Sequence, residues 1–177
     1  MNAIVLRQVS IDDAPLIHRW KSDPVIIQMA LDDDYHSSVE RQRQDIEASI
    51  RSDGSEYDII ELDHRPIGYI RIDWMNDAKT HAWLRFALGE QRGQGWMKRA
   101  LSQYLSTLFQ RGCSRVEGEV YAFNNASIAL LEGLGFVREG TKRKAHQTKG
   151  QHYDVHIYGL LAEEYPSLAE GTRLELE

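Results

Sequence analysis

The sequence predicts an α/β (α+β) fold, with a mixed, mostly antiparallel central sheet of about seven strands flanked by helices. Three observations carry this. Tyr57 to Leu62, Ile67 to Trp74 and Trp83 to Leu88 follow one another across short turns, which is an antiparallel meander. Met97, Ala100, Leu101, Tyr104, Leu105, Leu108 and Phe109 then repeat at helical spacing, and Arg115 to Tyr121 follows as a strand. Strand, helix, strand in that order requires a right-handed crossover between parallel strands.

The elements follow in order. Ile4 to Val9 alternates apolar and polar side chains, as a half-buried strand does. Ser10-Ile11-Asp12-Asp13 has the form of a capping box, and Leu16, Ile17 and Trp20 give the helix after it an apolar face until Asp23-Pro24 ends it. Val25 to Tyr35 has no period, and its acidic run Asp32-Asp33-Asp34 reads as an exposed loop. Ser37-Ser38-Val39-Glu40 starts a surface helix with sparse buried positions at Val39, Ile46 and Ile50, stopped by Ser52-Asp53-Gly54. Asp63-His64-Arg65-Pro66 turns the first hairpin of the meander, and Asn76-Asp77 marks its second turn. Gly112 closes the long helix. Asn124-Asn125-Ala126-Ser127 starts a short helix with Ile128, Leu131 and Leu134 inward, ended by Gly135. Phe136 to Lys142 and Tyr153 to Leu161 form a last strand pair around a polar loop, and residues from Tyr165 onward cover an edge or fray.

At 177 residues, with 42% hydrophobic and 27% charged residues, the chain is expected to be one domain over 1–177. No stretch is long enough to span a bilayer, and Met1-Asn2-Ala3-Ile4 begins no signal peptide, so no membrane association is expected. Cys113 is the only cysteine, which excludes an internal disulfide and a cysteine-built zinc site, and a reducing cytoplasm is the expected location. The formal net charge of −6 argues against general nucleic-acid binding and is compatible with an amine-bearing partner.

Between strand and long helix lies Gly89-Glu90-Gln91-Arg92-Gly93-Gln94-Gly95. A strand that empties through glycines into a helix start gathers unpaired N–H groups and the positive end of the helix dipole, a place for phosphates. A P-loop needs Gly-Lys-Ser/Thr, but Trp96-Met97 follows Gly95. A dinucleotide fingerprint needs a third glycine where Lys98 stands, although Glu117 and Glu119 sit near the position of its ribose acid, about twenty residues on. The preceding antiparallel meander is also the wrong architecture for that fold.

Arg92-Gly93-Gln94-Gly95-Trp96-Met97, preceded by Phe86-Ala87-Leu88 and followed by Ala100-Leu101, resembles the pyrophosphate loop of the GNAT superfamily of acyl-CoA N-acyltransferases. Arg92 and Gly95 match the loop pattern; Met97 departs from its final small position, so its side chain must point away from the pyrophosphate. Asn124 through Phe136, with its Leu134-Gly135-Phe136 ending, is similar to the family's later helix, and Pro66-Ile67-Gly68-Tyr69-Ile70-Arg71 to its third-strand entry. The likeness runs from about Ile4 to Leu161. In whole-chain pattern it looks most like the branch acting on protein N-terminal amines. Branches acting on amino sugars, polyamines or aminoglycosides are similar too.

The resemblance implies a splayed parallel strand pair, acetyl-CoA as cosubstrate, no metal, and transfer of an acetyl group to a primary amine in a ternary complex. Main-chain groups of Phe86, Ala87 and Leu88 would pair with the pantetheine arm, and amides of Arg92, Gly93, Gln94, Gly95, Trp96 and Met97 would hold the pyrophosphate. Asn124 and Ser127 match positions at the pantetheine and thiol end; each also reads as helix-cap chemistry. An attacking amine, with a pKa near about 10, must lose a proton, so a base is needed. His81, near the family's usual glutamate, is the candidate, with Asp73 on the adjacent strand as the alternative. The family's tyrosine acid is replaced by Leu131, and Ser127 or a water it holds is the substitute. Asp32, Asp33, Asp34 and Glu61 are expected to attract an amine, whether a protein N-terminus, an amino sugar or a polyamine-like molecule, and the protein to be a monomer or homodimer. A CoA-binding module without catalysis is the competing expectation.

Overall fold

In the computed structural model, residues 3–166 are described. Their strands are β1 (Ile4–Gln8), β2 (Ser55–Leu62), β3 (Arg65–Trp74), β4 (His81–Leu88), β5 (Arg115–Tyr121), β6 (Val137–Thr148) and β7 (Gln151–Leu161), joined in one seven-stranded sheet of order β1-β2-β3-β4-β5-β7-β6. Only β4 and β5 run parallel; every other neighbouring pair is antiparallel. The helices are α1 (Ala14–Lys21), α2 (Pro24–Ala30), α3 (Val39–Arg51), α4 (Trp96–Gln110) and α5 (Asn125–Gly133). Among the described residues no helix is long and apolar enough to cross a membrane.

Both faces of the central strands are covered, so each strand feeds two cores by alternation. Ile70, Ile72, Ala82, Leu84 and Val116 point to one side, where they meet Met97, Ala100, Leu101, Leu105 and Leu108 of α4 and Leu131 of α5. Tyr57, Ile59, Tyr69 and Ala87 point to the other, against Ile17 and Trp20 of α1 and Ile46 of α3. The helical period in α4 and the strand alternation are thus two views of one core.

The β4–β5 pair is short. Its register holds only for His81↔Arg115, Ala82↔Val116 and Trp83↔Glu117. Beyond these residues β4 stays with β3 and β5 with β7, and the sheet splits between them.

Three local readings change. Pro24–Ala30 is a helix, not part of a loop: Asp23 accepts from the Val25 amide at 2.8 Å and Pro24 takes the first turn, but only Ile26 is buried, so no apolar period marks it. The polar loop expected between the last strands is itself sheet, since β6 and β7 run out to Thr148↔Gln151 around Lys149-Gly150. Ile50 is exposed rather than inward. Tyr165 packs on α4, its hydroxyl donating to the Ser102 carbonyl at 3.1 Å; the tail from Ser167 lies outside the described residues.

Asp58 on β2 carries a pH-dependent cost. Burial, with Glu56 adding to it and Arg111 opposing, pushes its carboxyl up to about 6. The folded state therefore binds the proton more tightly than the unfolded chain; that stability is complete below the unfolded value near 3.8 and is lost as pH rises through about 6. Asp58→Asn is expected to raise the melting temperature at pH 7.5, by the equivalent of about 1–2 kcal/mol, and to leave it unchanged at pH 4. Melting curves of both proteins at the two pH values check this, and an equal shift at both would remove the charge from the explanation.

Candidate active site

A cavity of about 450 Å³ lies at the split. Leu84, Phe86 and Val120 bound it on the α4 side of the sheet, and Tyr69, Arg71 and Arg85 on the opposite side, so it passes between β4 and β5 from one face to the other. Asn124 and Ser127, at the start of α5, close its flank.

Past the end of β4 the chain turns over α1. A Cβ on Gly89 would collide with the Trp20 ring, so this contact admits glycine alone. Gln91, Gly93 and Gly95 take positive φ values of 55°, 78° and 80°. Gly95 is the N-cap of α4 in the left-handed region and contributes no side-chain cap. Among the described residues nothing accepts from the amides of Gly93, Gly95, Trp96, Met97 or Lys98. A Cβ on Gly93 or Gly95 would meet nothing within 4 Å, so the loop's outer surface is bare main chain. These unpartnered amides lie together at the positive end of α4, a combination suited to an anion such as a diphosphate.

The side chains of the loop turn elsewhere. Arg92 Nε donates to the Leu88 carbonyl at 2.8 Å and its Nη2 to Asp23 at 2.6 Å, which ties the loop to the end of β4 and to the cap of α2. Gln94 is bonded to the Gln91 side chain and accepts from the Trp96 indole. Met97 is buried in the α4 core, so its size leaves the main chain uncovered. Ala87 is buried on the α1–α3 side, and Leu88 packs against the α4 core. Like Phe86, both lie past the last β4–β5 partner, where alternate main-chain groups lack a neighbouring strand.

Asn124 both caps and lines. Its Oδ1 accepts from the Ser127 amide at 3.1 Å, and its Nδ2 donates to the Met29 carbonyl at 3.1 Å, linking α5 to α2. Leu131 is buried in the core.

The expected bases fall outside the cavity wall. His81 opens β4 at the zipped end of the parallel pair, its Nε2 3.0 Å from Glu117. Asp73 pairs with Arg85 and lies 3.4 Å from Arg71 Nε, behind the wall rather than in it. Two carboxylates stand on the wall: Asp45, which receives Arg71 on both oxygens, and Glu119, two residues past the last β5 partner, where Lys142 Nζ pairs with it. The acidic run is also taken up. Asp33 accepts from Thr148 Oγ1 at 2.6 Å and the Lys149 amide at 2.9 Å, and Asp32 from the Tyr121 hydroxyl at 3.4 Å. Glu61 is bound by Arg7 at 2.6 Å on the far edge of the sheet. These carboxylates fasten the segment after α2 to the β6–β7 hairpin and β1 to β2; they do not face the cavity as a cluster.

On β7, Asp154 accepts from the Lys144 amide and His156 bonds Thr141, so both side chains are engaged in the β6–β7 hairpin. Among the described residues no group of three or more His, Cys, Asp or Glu is placed to hold a metal ion. Cys113 is buried, and burial pushes its thiol up, away from the reactive thiolate.

The sequence places the two early helices beside the acceptor side, but does not name the residues that line the α1–α3 half of the cavity. Lys21, Tyr35, Arg41, Asp45, Tyr57 and Tyr69 line it together with Arg71 and Arg85. A signal was present: Tyr69, Arg71 and Asp73 alternate on one face of a central strand that a two-sided core should make apolar.

Comparison with known proteins adds the following. A family model described as acetyltransferase (GNAT) domain matches residues 3–137. The SPbeta prophage-derived uncharacterized N-acetyltransferase YokL of Bacillus subtilis (strain 168) is 29% identical over 154 residues, 81% of this chain and 87% of that one. Among solved structures, the spermidine N-acetyltransferase of Vibrio cholerae in complex with CoA and spermine superposes with a TM-score of 0.84 at 20% identity, covering 92% of this chain and 97% of that one. The ribosomal L7/L12 alpha-N-protein acetyltransferase RimL in complex with coenzyme A gives 0.80 at 22% identity, covering 89% and 93%.

Proposed function

The chain belongs to the acetyltransferase (GNAT) family, and from this premise we propose that it moves an acetyl group from acetyl-CoA to a primary amine by direct transfer in a ternary complex. One observation carries the reading: β4 parts from β5 around a cavity and then runs on into an uncapped, glycine-led helix N-terminus. Acetyl-CoA supplies the acyl group as a thioester. The chain's own residues bind, orient and move protons. Amides from Arg92 through Met97 hold the diphosphate, and the freed edge of Phe86, Ala87 and Leu88 takes the pantetheine arm as an added strand. Asn124 and Ser127 stand at the thiol end, with the Ser127 hydroxyl as the proton donor for the departing sulfur. A main-chain N–H of the Leu84–Phe86 edge is available to a carbonyl oxygen on which charge develops.

Glu119 takes the amine proton in place of His81 and Asp73, directly or through a water, because it is on the wall and they are not. The acceptor enters from the α1–α3 side. The catalytic unit is the single domain of the chain, and with Cys113 buried and unpaired it suits a reducing cytoplasm. Release of free CoA thiol from acetyl-CoA, followed over a panel of amines, tests the proposal. Release that depends on the added amine is the expected result. Tight CoA binding with no release on any amine would favour a non-catalytic module.

A further inference from the structure

The acceptor half of the cavity carries more cations than anions. Lys21, Arg41, Arg71 and Arg85 line it, against Asp45 on the wall and Asp73 behind it. Glu119 is already paired with Lys142. Asp45 receives Arg71 Nη1 on both oxygens, at 2.9 and 2.8 Å, and lies 4.0 Å from Lys21 Nζ. Asp73 is shared by Arg85 and Arg71. Arg41 lies over the Tyr35 ring, 4.7 Å from its centroid, and donates to the His36 carbonyl; among the described residues no carboxylate lies within ion-pair distance of it. Two carboxylates thus serve three of the four cations, and Arg41 is left over.

A second observation points the same way. Tyr57 lines the cavity, and its hydroxyl is buried with no hydrogen-bond partner among the described residues. Burial holds that hydroxyl protonated, so it is a donor awaiting an acceptor. Lys21 stands among the rings of Tyr35, Tyr57 and Tyr69, with Nζ at 6.0, 5.9 and 5.5 Å from their centroids. Burial, with Arg71, Arg85 and Arg41 adding to it and Asp45 opposing, lowers its ammonium to about 8. A polyamine would bring further positive charge into this wall. An anionic group would relieve it.

We propose that the acceptor is an amine that also carries an acidic group, a carboxylate or a phosphate ester, held by Arg41, Arg85, Lys21 and the Tyr57 hydroxyl. The proposal rests on the acetyl-transfer reading above and names the class of its acceptor.

Calorimetric titration of the protein saturated with CoA tests it, using matched amines: phenylalanine against phenylalaninamide, glucosamine 6-phosphate against glucosamine, and spermidine. In at least one pair the acid member is expected to bind tenfold or more tightly than its neutral counterpart, and spermidine to bind more weakly than that acid. The pair that responds tells carboxylate from phosphate. Arg41 is exposed on α3, so Arg41→Gln spares the core; it is expected to erase the tenfold preference and leave CoA affinity unchanged. Neutral members or spermidine binding as well as the acids, or no acid binding to a protein that holds CoA, would overturn the proposal and leave the acetyl-transfer reading standing. Failure to bind CoA at all would overturn both.

Discussion

Gly95→Asp is expected to weaken CoA binding at least a hundredfold, about 3 kcal/mol, while shifting the melting temperature by only a few degrees. Gly95 is the cap of α4 at φ 80°, and the five amides at Gly93 and from Gly95 to Lys98 have no acceptor among the described residues. An aspartate there sets a negative charge where the diphosphate belongs. It also gives nearby amides an internal acceptor, which competes with the ligand. The folded chain tolerates it better than most residues, because aspartate visits the left-handed region and a Cβ at this position meets nothing within 4 Å. Binding and stability therefore separate. Calorimetric titration with CoA beside a melting curve reads both quantities. Unchanged affinity would remove the loop from the site, and parallel collapse of both would reduce Gly95 to a structural glycine.

The loop was legible because its signals are local. Glycines set the turn, and the seven apolar positions after Trp96 set the helix, with all but Phe109 buried. The meander and the parallel crossover were equally legible, since short turns and a helical connection leave few ways to join those strands; the place of β7 between β5 and β6 was not read. The split came from family resemblance. No residue pattern in β4 or β5 states where their register stops, and Gly118 is the one oddity, close enough to Leu84 that an added Cβ would sit 3.2 Å from its carbonyl. The missed helix α2 buries only Ile26, so its cap and proline had no periodicity to support them. The residues of the α1–α3 wall were not named for a different reason: Lys21, Arg41, Asp45 and Arg71 come from α1, α3 and β3, and only packing brings them together. His81 is set apart from the cavity by distance rather than by face. It shares its side of β4 with Trp83 and Arg85, and stands two residues, about 7 Å along a strand, short of Trp83, the first residue on that face to line the cavity.

That distance sets up the second large effect. Glu119→Gln is expected to lower kcat about a hundredfold or more, with CoA affinity unchanged, and His81→Ala to leave kcat within about twofold. Glu119 and His81 lie on the same face of the sheet, and both have charged partners, Lys142 and Glu117. They differ in where the strands part. His81 is opposite Arg115 in the zipped register, whereas Glu119 is two residues beyond the last pair and borders the cavity. Proton removal requires reach to the amine, directly or through one water, so position decides between two groups of suitable chemistry. The glutamine keeps the shape and a hydrogen-bonding oxygen while losing the ability to take up a proton. The rise of kcat/KM with pH that a titrating base produces should then flatten in Glu119→Gln and persist in His81→Ala. Were Glu119 only a partner for Lys142 that pins β6 to β5, its loss would lower the melting temperature and leave both kcat and the pH profile intact. The reverse pattern, activity lost in His81→Ala alone, would move the proton acceptor to the zipped end and require the amine to enter there.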